Sequence, residues 1–346
     1  GGADDGYAAF AALAALEAIE AAGEPHARCV VLIEASEESA SSDLDAHLDA
    51  LADHLGQVEL LLCLDSGGLT YDRLWVTTSL RGCVNVRVTV EVLERALHSG
   101  LASGVVPSSF RILRELLDRV EDSTTGEVRL ANLYADIPAE HVAAAVALAN
   151  EFGDVAQNEF PLVEGLTLMG DSPADRWLRT TWFPALSVIG MGGLPAPDIA
   201  GNVLRTSTTA VLSMRLPPGV ASLDAAAELL TVLTDRPPSN ATVTATLDSH
   251  GDGWAATEFA PWLSDALERA SLDTFGRAPG YCGEGGSIPF LAELGRRYPG
   301  VQFVATGVLG PNSNAHGIDE MLHLPTLLNV TNSIATLVAA HARATG

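Results

Sequence analysis

An apolar run is followed directly by an acidic loop in the sequence Cys29-Val30-Val31-Leu32-Ile33-Glu34-Ala35-Ser36-Glu37-Glu38-Ser39. Its five apolar residues form an unbroken run, which is typical of a buried strand in an α/β protein. Open α/β sheets place their ligand sites at the carboxyl ends of strands. We therefore predict a strand over 29–34 with two adjacent carboxylates, Glu37 and Glu38, at its end. A pair of adjacent glutamates alone is more often a solvated helix start, so its meaning depends on the neighbouring loops.

Two further acidic loops accompany this one. Asp4 and Asp5 lie in the glycine-rich start of the chain, and Asp65 follows an apolar run, 58–64, that is typical of a strand. Helices are predicted between these loops, over 7–22 and 42–55. Carboxylates that gather at one edge of a sheet repel each other unless cations neutralise them. The sequence therefore predicts a metal site here.

Composition limits the classes of protein to consider. The 346 residues are 47 % apolar, which indicates a folded protein with a sizeable core. The formal charge is −25, from 44 acidic and 19 basic residues, and every basic residue is arginine. Nucleic acid and anionic membranes need a basic partner, so both are excluded as ligands. The acidity fits a salty habitat or a GC-rich genome equally well.

The cysteines and the lengths of the apolar runs indicate the cellular compartment of the protein. Cys29, Cys63, Cys83 and Cys282 show no metal-type spacing, and we interpret them as free thiols, with Cys29 and Cys63 buried in strands. No run reaches the roughly 18 apolar residues that span a bilayer. The start carries no secretory signal. We expect a cytoplasmic protein.

The pattern changes at about residue 82. Val84, Val86, Val88, Val90 and Val92 alternate with polar residues, which predicts a half-buried antiparallel strand over 84–93. Strands are predicted over 186–189, 210–216 and 242–247, helices over 108–120, 139–151 and 223–234, and irregular chain over 153–182. Beyond about 250 we predict helices over 258–272, 290–297 and 325–344 and a strand over 301–306. The simplest fold is an α/β domain, 1–82 and 250–346, with a mixed, mostly parallel sheet, interrupted by an α+β domain at 83–249.

Seven short motifs occur in an informative order. They are Gly1-Gly2-Ala3-Asp4-Asp5-Gly6, Glu37-Glu38, Leu64-Asp65-Ser66, His98-Ser99-Gly100, Gly201-Asn202-Val203-Leu204-Arg205 with Met214-Arg215-Leu216, Gly285-Gly286-Ser287-Ile288-Pro289, and Asn314-Ala315-His316-Gly317. In this order they resemble a di-zinc metallopeptidase family that includes carnosinases, aminoacylases, glutamate carboxypeptidases and succinyl-diaminopimelate desuccinylases. Each motif is weak alone, and the ordered series is most similar to the carnosinase-like dipeptidases.

The resemblance implies a role for each acidic motif. Asp4 would bridge two divalent ions, zinc first, with manganese or cobalt as alternatives. Glu38 and His316 would complete one ion's site, and Asp65 would bind the other, in keeping with the oxygen and imidazole ligands that zinc accepts. Glu37 would be the general base that takes a proton from the attacking water and passes it to the leaving amine.

For the inserted region the resemblance implies a ferredoxin-like lid and dimerisation domain. His98 would stabilise the oxyanion in the partner subunit of a homodimer. Asn202, Arg215, Gly286 and Ser287 would bind the substrate, with Arg215 pairing to its carboxylate. Each of these features also has a simpler interpretation. His98 would then cap a loop, Arg215 would form a salt bridge, and the Gly285–Pro289 turn would only precede a helix.

Two features depart from the family's pattern. The family has a His-x-Asp motif upstream of its bridging Asp, and no such motif precedes Asp4. His47-Leu48-Asp49 has the right letters, but it follows Glu37-Glu38 within a predicted helix, so we interpret it as a chance match on a solvated face. We expect the 346 residues to be a fragment with weak or no activity. In addition, Gly283 stands where carnosinases commonly have Arg, which leaves the preference for the substrate's end group open.

The expected function is metal-dependent hydrolysis of the amide bond of a dipeptide or small peptide. An N-acyl-amino-acid amidohydrolase would use the same site on a different acyl group. A non-catalytic dimerising module of the same family is the third hypothesis. The presence of Glu37, Glu38, Asp65, His98 and His316 together argues against that third hypothesis.

Overall fold

The computed structural model describes residues 1–37, 41, 43–154, 160–286 and 288–346. The chain divides into two compact units. The first comprises 1–79, 255–284 and 290–346, and the second comprises 80–254 and 285–289.

The described helices and strands follow one another along the whole chain. They are α1 (Ala8–Ala22), α2 (Leu44–Ala50), α3 (Ala52–Leu55), β1 (Leu60–Cys63), β2 (Trp75–Leu80), β3 (Gly82–Glu91), β4 (Leu97–His98), α4 (Ser99–Ala102), α5 (Ser109–Val120) and α6 (Ala139–Phe152). They continue with α7 (Pro173–Thr181), β5 (Ala185–Gly192), β6 (Val203–Leu204), β7 (Ser207–Leu216), α8 (Ser222–Thr234), β8 (Thr242–Gly251), β9 (Trp254–Ala255), α9 (Pro261–Phe275), β10 (Gly280–Glu284), α10 (Pro289–Arg297), β11 (Gln302–Ala305) and α11 (Leu324–Thr345). Helices and strands alternate, as expected for the α/β class.

The first unit is built on a mixed sheet. Its strand order is β1-β11-β2-β10, with β9 paired to β2. β1 and β11 are parallel over 60–63 and 302–305, and β11 is antiparallel to β2. Helices α1 and α9 pack against α11, and Val76, Val304 and Leu337 are buried in the core between the helices and the sheet. The carboxyl ends of the parallel strands β1 and β11 thus lead into the loops that carry Asp65 and His316.

The second unit contains a four-stranded antiparallel sheet in the order β5-β7-β3-β8. The alternation predicted for β3 is confirmed, because Val84, Val86, Val88 and Val90 are all fully buried. They pack with residues of α5 and α8 in one apolar cluster. The opposite face of β3 carries the polar side chains Asn85, Arg87 and Thr89, so only one face of this sheet contributes to the core.

The strand predicted over 29–34 is wrong. Residues 24–34 are assigned to neither helix nor strand, and the side chain of Ile33 is 71 % exposed. A strand needs a hydrogen-bonded neighbour, and an apolar run alone does not supply one. β1 ends the strand order and pairs only with β11 in the described part of the chain. Cys29 is therefore exposed and not buried, although Cys63 is buried and all four cysteines are free, as predicted.

Other boundaries also shift. The helix predicted over 42–55 is divided at Leu51 into α2 and α3. The stretch 153–182 is not wholly irregular, because Ser172 caps α7 by accepting from the backbone N–H of Asp175 at 3.1 Å. Helix α7 and strands β2 and β10 were not predicted. No helix among the described residues has the length and apolarity needed to cross a bilayer.

Candidate metal centre and substrate-contacting residues

Asp4 lies in a tight turn, residues 2–6, immediately before α1. The Asp4–Asp5 peptide bond is cis. The Asp4 side chain is only 11 % exposed, and its Oδ2 lies 2.9 Å from Nε2 of His316. The turn continues into Tyr7, a buried side chain whose hydroxyl donates to the carbonyl oxygen of Leu64 at 2.6 Å. Tyr7 therefore ties the turn of Asp4 to the strand end that carries Asp65.

Asp65 belongs to the same cluster. Burial, the charges of Asp5, Asp4 and Glu37, and the interaction with the Asp4 carboxyl raise the pKa of Asp65 to about 7. Burial and the neighbouring charge of Asp4 likewise raise the pKa of Asp5. Carboxylates that are desolvated together strongly favour a bound cation. The structure thus brings together Asp4, Asp65 and His316, with Glu37 near enough to affect Asp65.

Glu37 and Glu38 differ in what can be stated about them. Glu37 is half-buried and contributes to the electrostatic field at Asp65. Glu38 lies outside the described residues. The preceding Glu34 is occupied locally, because its carboxylate accepts from the backbone N–H and the hydroxyl of Ser36. Of the predicted ligands, Asp4, Asp65 and His316 are therefore described.

The donor set fits divalent ions such as zinc. Carboxylate oxygen and imidazole nitrogen are the ligands that zinc accepts, and the clustered negative charge compensates a cation. Among the described residues, however, no three His, Cys, Asp or Glu side chains form a group spaced to hold a metal. His316 instead contacts Asp4 directly, with its side chain 66 % exposed. The cluster thus has suitable donors, and the His316 imidazole contacts the Asp4 carboxylate directly.

A second polar group near Asp65 was not predicted as part of the site. Ser66 and Thr77 are buried, and their hydroxyls each donate to Oε1 of Glu284 at 2.8 Å. Ser66 directly follows Asp65, and Glu284 ends β10. The network fixes the loop after β1 against β2 and β10. Only the Gly283-Glu284 departure from the carnosinase pattern drew attention to this position in the sequence.

His98 and Asn202 are brought together in the second unit. β4 and β6 pair antiparallel, with His98 opposite Val203, and the N–H of Ser99 donates to the carbonyl oxygen of Asn202 at 2.9 Å. Nδ1 of His98 accepts from the N–H of Gly100 at 3.2 Å and so caps α4. Both side chains are exposed. The local capping role is therefore present, and Nε2 of His98 has no hydrogen-bond partner among the described residues.

Arg215 lies in β7 of the second unit, opposite Cys83 in β3 and Ala185 in β5. A second arginine, Arg81, was not predicted. Burial and the nearby charge of Arg215 lower the pKa of Arg81 to about 10. Arg81 donates to the carbonyl oxygens of Gly285, Arg179 and Phe183 at 3.2–3.4 Å. It thus supports the turn that contains Gly285.

In the Gly285-Gly286 turn, Gly285 is closely packed and Gly286 is not. A Cβ on Gly285 would lie 2.8 Å from the carbonyl oxygen of Thr180, whereas a Cβ on Gly286 would meet no atom of the described residues within 4 Å. Ser287, the predicted partner of Gly286 in substrate binding, lies outside the described residues. The turn therefore requires glycine at 285 for close packing and leaves space beside 286.

The sequence and fold are similar to those of known proteins. Residues 1–340 match the model of "Peptidase family M20/M25/M40". The cysteinylglycine-S-conjugate dipeptidase of Corynebacterium striatum is 26 % identical over 84 % of this chain, and the Cys-Gly metallodipeptidase DUG1 of Candida albicans is 25 % identical over 87 %. In both cases the match spans 62 % of the relative's length.

Solved structures share the fold at lower identity. The dipeptidase Dug1p of Saccharomyces cerevisiae superposes with a TM-score of 0.75 at 20 % identity, over 99 % of this chain and 72 % of that one. The metallo-carboxypeptidase Sso-CP2 of Sulfolobus solfataricus gives a TM-score of 0.80 at 15 % identity, over 99 % and 76 %. Human carnosine dipeptidase 1 gives 0.72 at 19 % identity, over 97 % and 71 %.

Proposed function

Because this chain belongs to peptidase family M20/M25/M40, we propose that it hydrolyses the amide bond of a dipeptide or small peptide with the help of divalent metal ions. The observation that carries the proposal is the cluster of Asp4, Asp65 and His316, which joins residues from the start, the first strand end and the C-terminal region of the chain. The dipeptidase relatives agree with a short peptide as the substrate.

The metals proposed are two zinc ions, with manganese and cobalt as the alternatives that metal analysis distinguishes. Asp4 would bind both ions, Glu38 and His316 would complete one site, and Asp65 would belong to the other. When bound, such ions lower the pKa of a water molecule and polarise the scissile carbonyl. The protein's part is to hold these oxygen and nitrogen donors together despite the mutual repulsion of the carboxylates.

Glu37 is the proposed general base. It would take a proton from the attacking water and later give that proton to the amine that leaves. A carboxylate is suited to both transfers when it is held within hydrogen-bond reach of the water. The influence of its charge on Asp65 supports its location beside the metal-binding cluster.

The second unit is proposed to bind substrate and to act as an inserted lid and dimerisation domain with the boundaries 83–249. His98 of one protomer would donate a hydrogen bond to the carbonyl oxygen of a substrate bound by its partner, where negative charge develops. Arg215 would pair with the substrate carboxylate, assisted by Asn202, Gly286 and Ser287. The two-protomer arrangement is supported by the edge strand β5, whose Val188, Ile189 and Met191 are exposed.

The proposed location is the cytoplasm. All four cysteines are free thiols, including the exposed Cys29. Reducing compartments keep thiols in this state.

The experiment measures metal content and hydrolysis on the same zinc-loaded sample. The substrates are a dipeptide panel that includes Cys-Gly, together with N-acetyl and N-succinyl amino acids. Glu37→Gln is the background control, because it keeps the size of the side chain and removes the base. Glu34→Gln is the matched control, since its amide oxygen still accepts from Ser36.

The expected result is zinc binding by all three proteins and dipeptide hydrolysis by the wild type and Glu34→Gln. The rate of Glu37→Gln should fall by about 10²–10⁴-fold, the range for a lost general base. A preference for the acylated amino acids would replace the dipeptidase with an amidohydrolase. A zinc-loaded wild type no faster than Glu37→Gln on every substrate would overturn catalysis, and a wild type that binds no zinc, manganese or cobalt would favour a binding module.

A further inference from the structure

The loop that carries His316 is tightly folded. Asn312, Asn314, His316 and Asp319 all have φ between 54° and 66°, although none is glycine. Ser313 is buried and holds the loop from within, because its hydroxyl accepts from the N–H of Gly310 and its carbonyl accepts from the N–H of Met321, both at 2.9 Å. Non-glycine residues in this region of φ are uncommon and need support from their surroundings. The loop therefore has a defined path, which fixes where its side chains lie.

Glu320 comes four residues after His316 and faces the turn of Asp4. Its Oε1 accepts from the backbone N–H of Ala3 at 2.7 Å and from that of Asp4 at 3.2 Å. Its Oε2 lies 2.7 Å from the amino nitrogen of Gly1. The Glu320 side chain is only 11 % exposed. The acceptor is thus largely shielded from water and is used by backbone donors.

These contacts satisfy donors that have no partner in a regular helix. The first N–H groups of a helical segment have no carbonyl one turn earlier to bond to. Ala3 is 2 % exposed, so folding removes its N–H from water. Without Glu320 this N–H would be buried with no acceptor in place of the water. Leaving a buried donor unpaired is unfavourable, which makes the position of the turn depend on this carboxylate.

One loop therefore contacts Asp4 at two points. Nε2 of His316 lies 2.9 Å from the Asp4 carboxylate, and Oε1 of Glu320 accepts from the Asp4 backbone. We propose that Glu320 is a positioning residue that holds the backbone of Asp4 so that its carboxylate and His316 can bind the same metal ion. This inference rests on the proposed function. It adds to it a residue outside the predicted ligand set.

The test measures the affinity for Zn²⁺ alone, by competition with a chromophoric chelator. Glu320→Gln keeps an oxygen acceptor for the two N–H groups, and Glu320→Met keeps the length of the side chain without that acceptor. Asp319→Asn is the matched control, because it removes a neighbouring exposed charge from the same loop and asparagine tolerates positive φ. Unfolding temperatures measured in excess chelator report the structural contribution separately.

The expected result is a loss of Zn²⁺ affinity of about 10–100-fold for Glu320→Met, the range for outer-shell partners of a metal site. Glu320→Gln and Asp319→Asn should stay close to the wild type. Equal affinities for wild type and Glu320→Met, with a lower unfolding temperature for the variant, would reduce Glu320 to a structural residue. If Glu320→Met does not fold, Glu320→Asp replaces it, and unchanged affinity in this shortened variant would overturn the inference. A wild type that binds no Zn²⁺ would instead overturn the proposed function.

Discussion

Nε2 of His316 lies 2.9 Å from Oδ2 of Asp4, although the two residues stand near opposite ends of the chain. The contact joins the turn before α1 to the loop between β11 and α11. An exposed imidazole beside a shielded carboxylate is a pair of donors ready to bind one cation.

His316→Ala should lower the affinity for Zn²⁺ by more than about 100-fold, because a lost ligand should cost more than the 10–100-fold typical of an outer-shell partner. Isothermal titration with Zn²⁺ measures the change. His47→Ala is the control, since His47 belongs to the His-x-Asp sequence in α2 and is exposed there. An equal loss in both variants would contradict the assignment of His316.

Asp65→Asn should stabilise the metal-free protein more at pH 8 than at pH 5. The pKa of Asp65 is about 7 in the folded chain, above its ordinary 3.8, because of burial and the charges of Asp5, Asp4 and Glu37. The folded chain then holds more protons than the unfolded chain between these values, so stability is lost as the pH rises through about 7. Thermal unfolding in excess chelator at both pH values measures the effect.

Asp72→Asn serves as the control of opposite sign. Slight burial raises the pKa of Asp72, but hydrogen bonds from Thr70 and Arg277 outweigh it and hold the pKa below its ordinary value. This variant should therefore lose stability at pH 8. A gain for Asp65→Asn that is equal at pH 5 and pH 8 would show that the raised pKa of Asp65 is not the cause.

Arg215→Met should raise KM for dipeptides by about 10–100-fold, in line with the roughly 1.5–3 kcal/mol of a hydrogen bond to a charged group. The same substitution should have little effect on a peptide whose C-terminal carboxylate is replaced by an amide. Initial rates on the paired substrates separate the two cases. Arg87→Met is the control, because Arg87 lies on the polar face of the same sheet and pairs with Asp248. Equal effects on both substrates would exclude carboxylate recognition by Arg215.

Mixing His98→Ala with Glu37→Ala should restore activity if His98 acts in the partner's site. Random pairing in a two-fold dimer makes half of the dimers mixed, each with one complete site, which corresponds to about a quarter of the wild-type rate. The rate is measured after the two variants have been unfolded and refolded together. Mixed protein that is no more active than the better single variant would place His98 in its own subunit's site or outside catalysis.

Several parts of the fold followed from local pattern alone. The alternation of Val84, Val86, Val88 and Val90 predicted β3 with its buried face, because a two-residue period needs no knowledge of the partner strand. The helices predicted near 108–120, 223–234 and 325–344 were likewise found as α5, α8 and α11. The apolar run at 29–33 was wrongly predicted as a strand, since pairing depends on residues distant in the sequence.

The candidate site was likewise predictable from the sequence only in part. Residue type, motif order and position after strands were enough to name Asp4, Asp65 and His316 as candidate ligands. They were also enough to predict the family, and the match over residues 1–340 confirms the family. Arg81 and Glu320 had no signal in the sequence, because each acts on backbone groups of a distant segment.

The sequence by itself thus determined the chemistry available, through the types and order of its charged residues, and the periodic elements that form the core. Only the tertiary structure decided which of those residues meet: His316 contacts Asp4, and Glu320 contacts the backbone of Ala3 and Asp4. It also decided the raised pKa of Asp65. The physical reason is that periodicity is a local property of the chain, whereas the pKa of a carboxyl and the partner of a buried N–H depend on what folding places beside them.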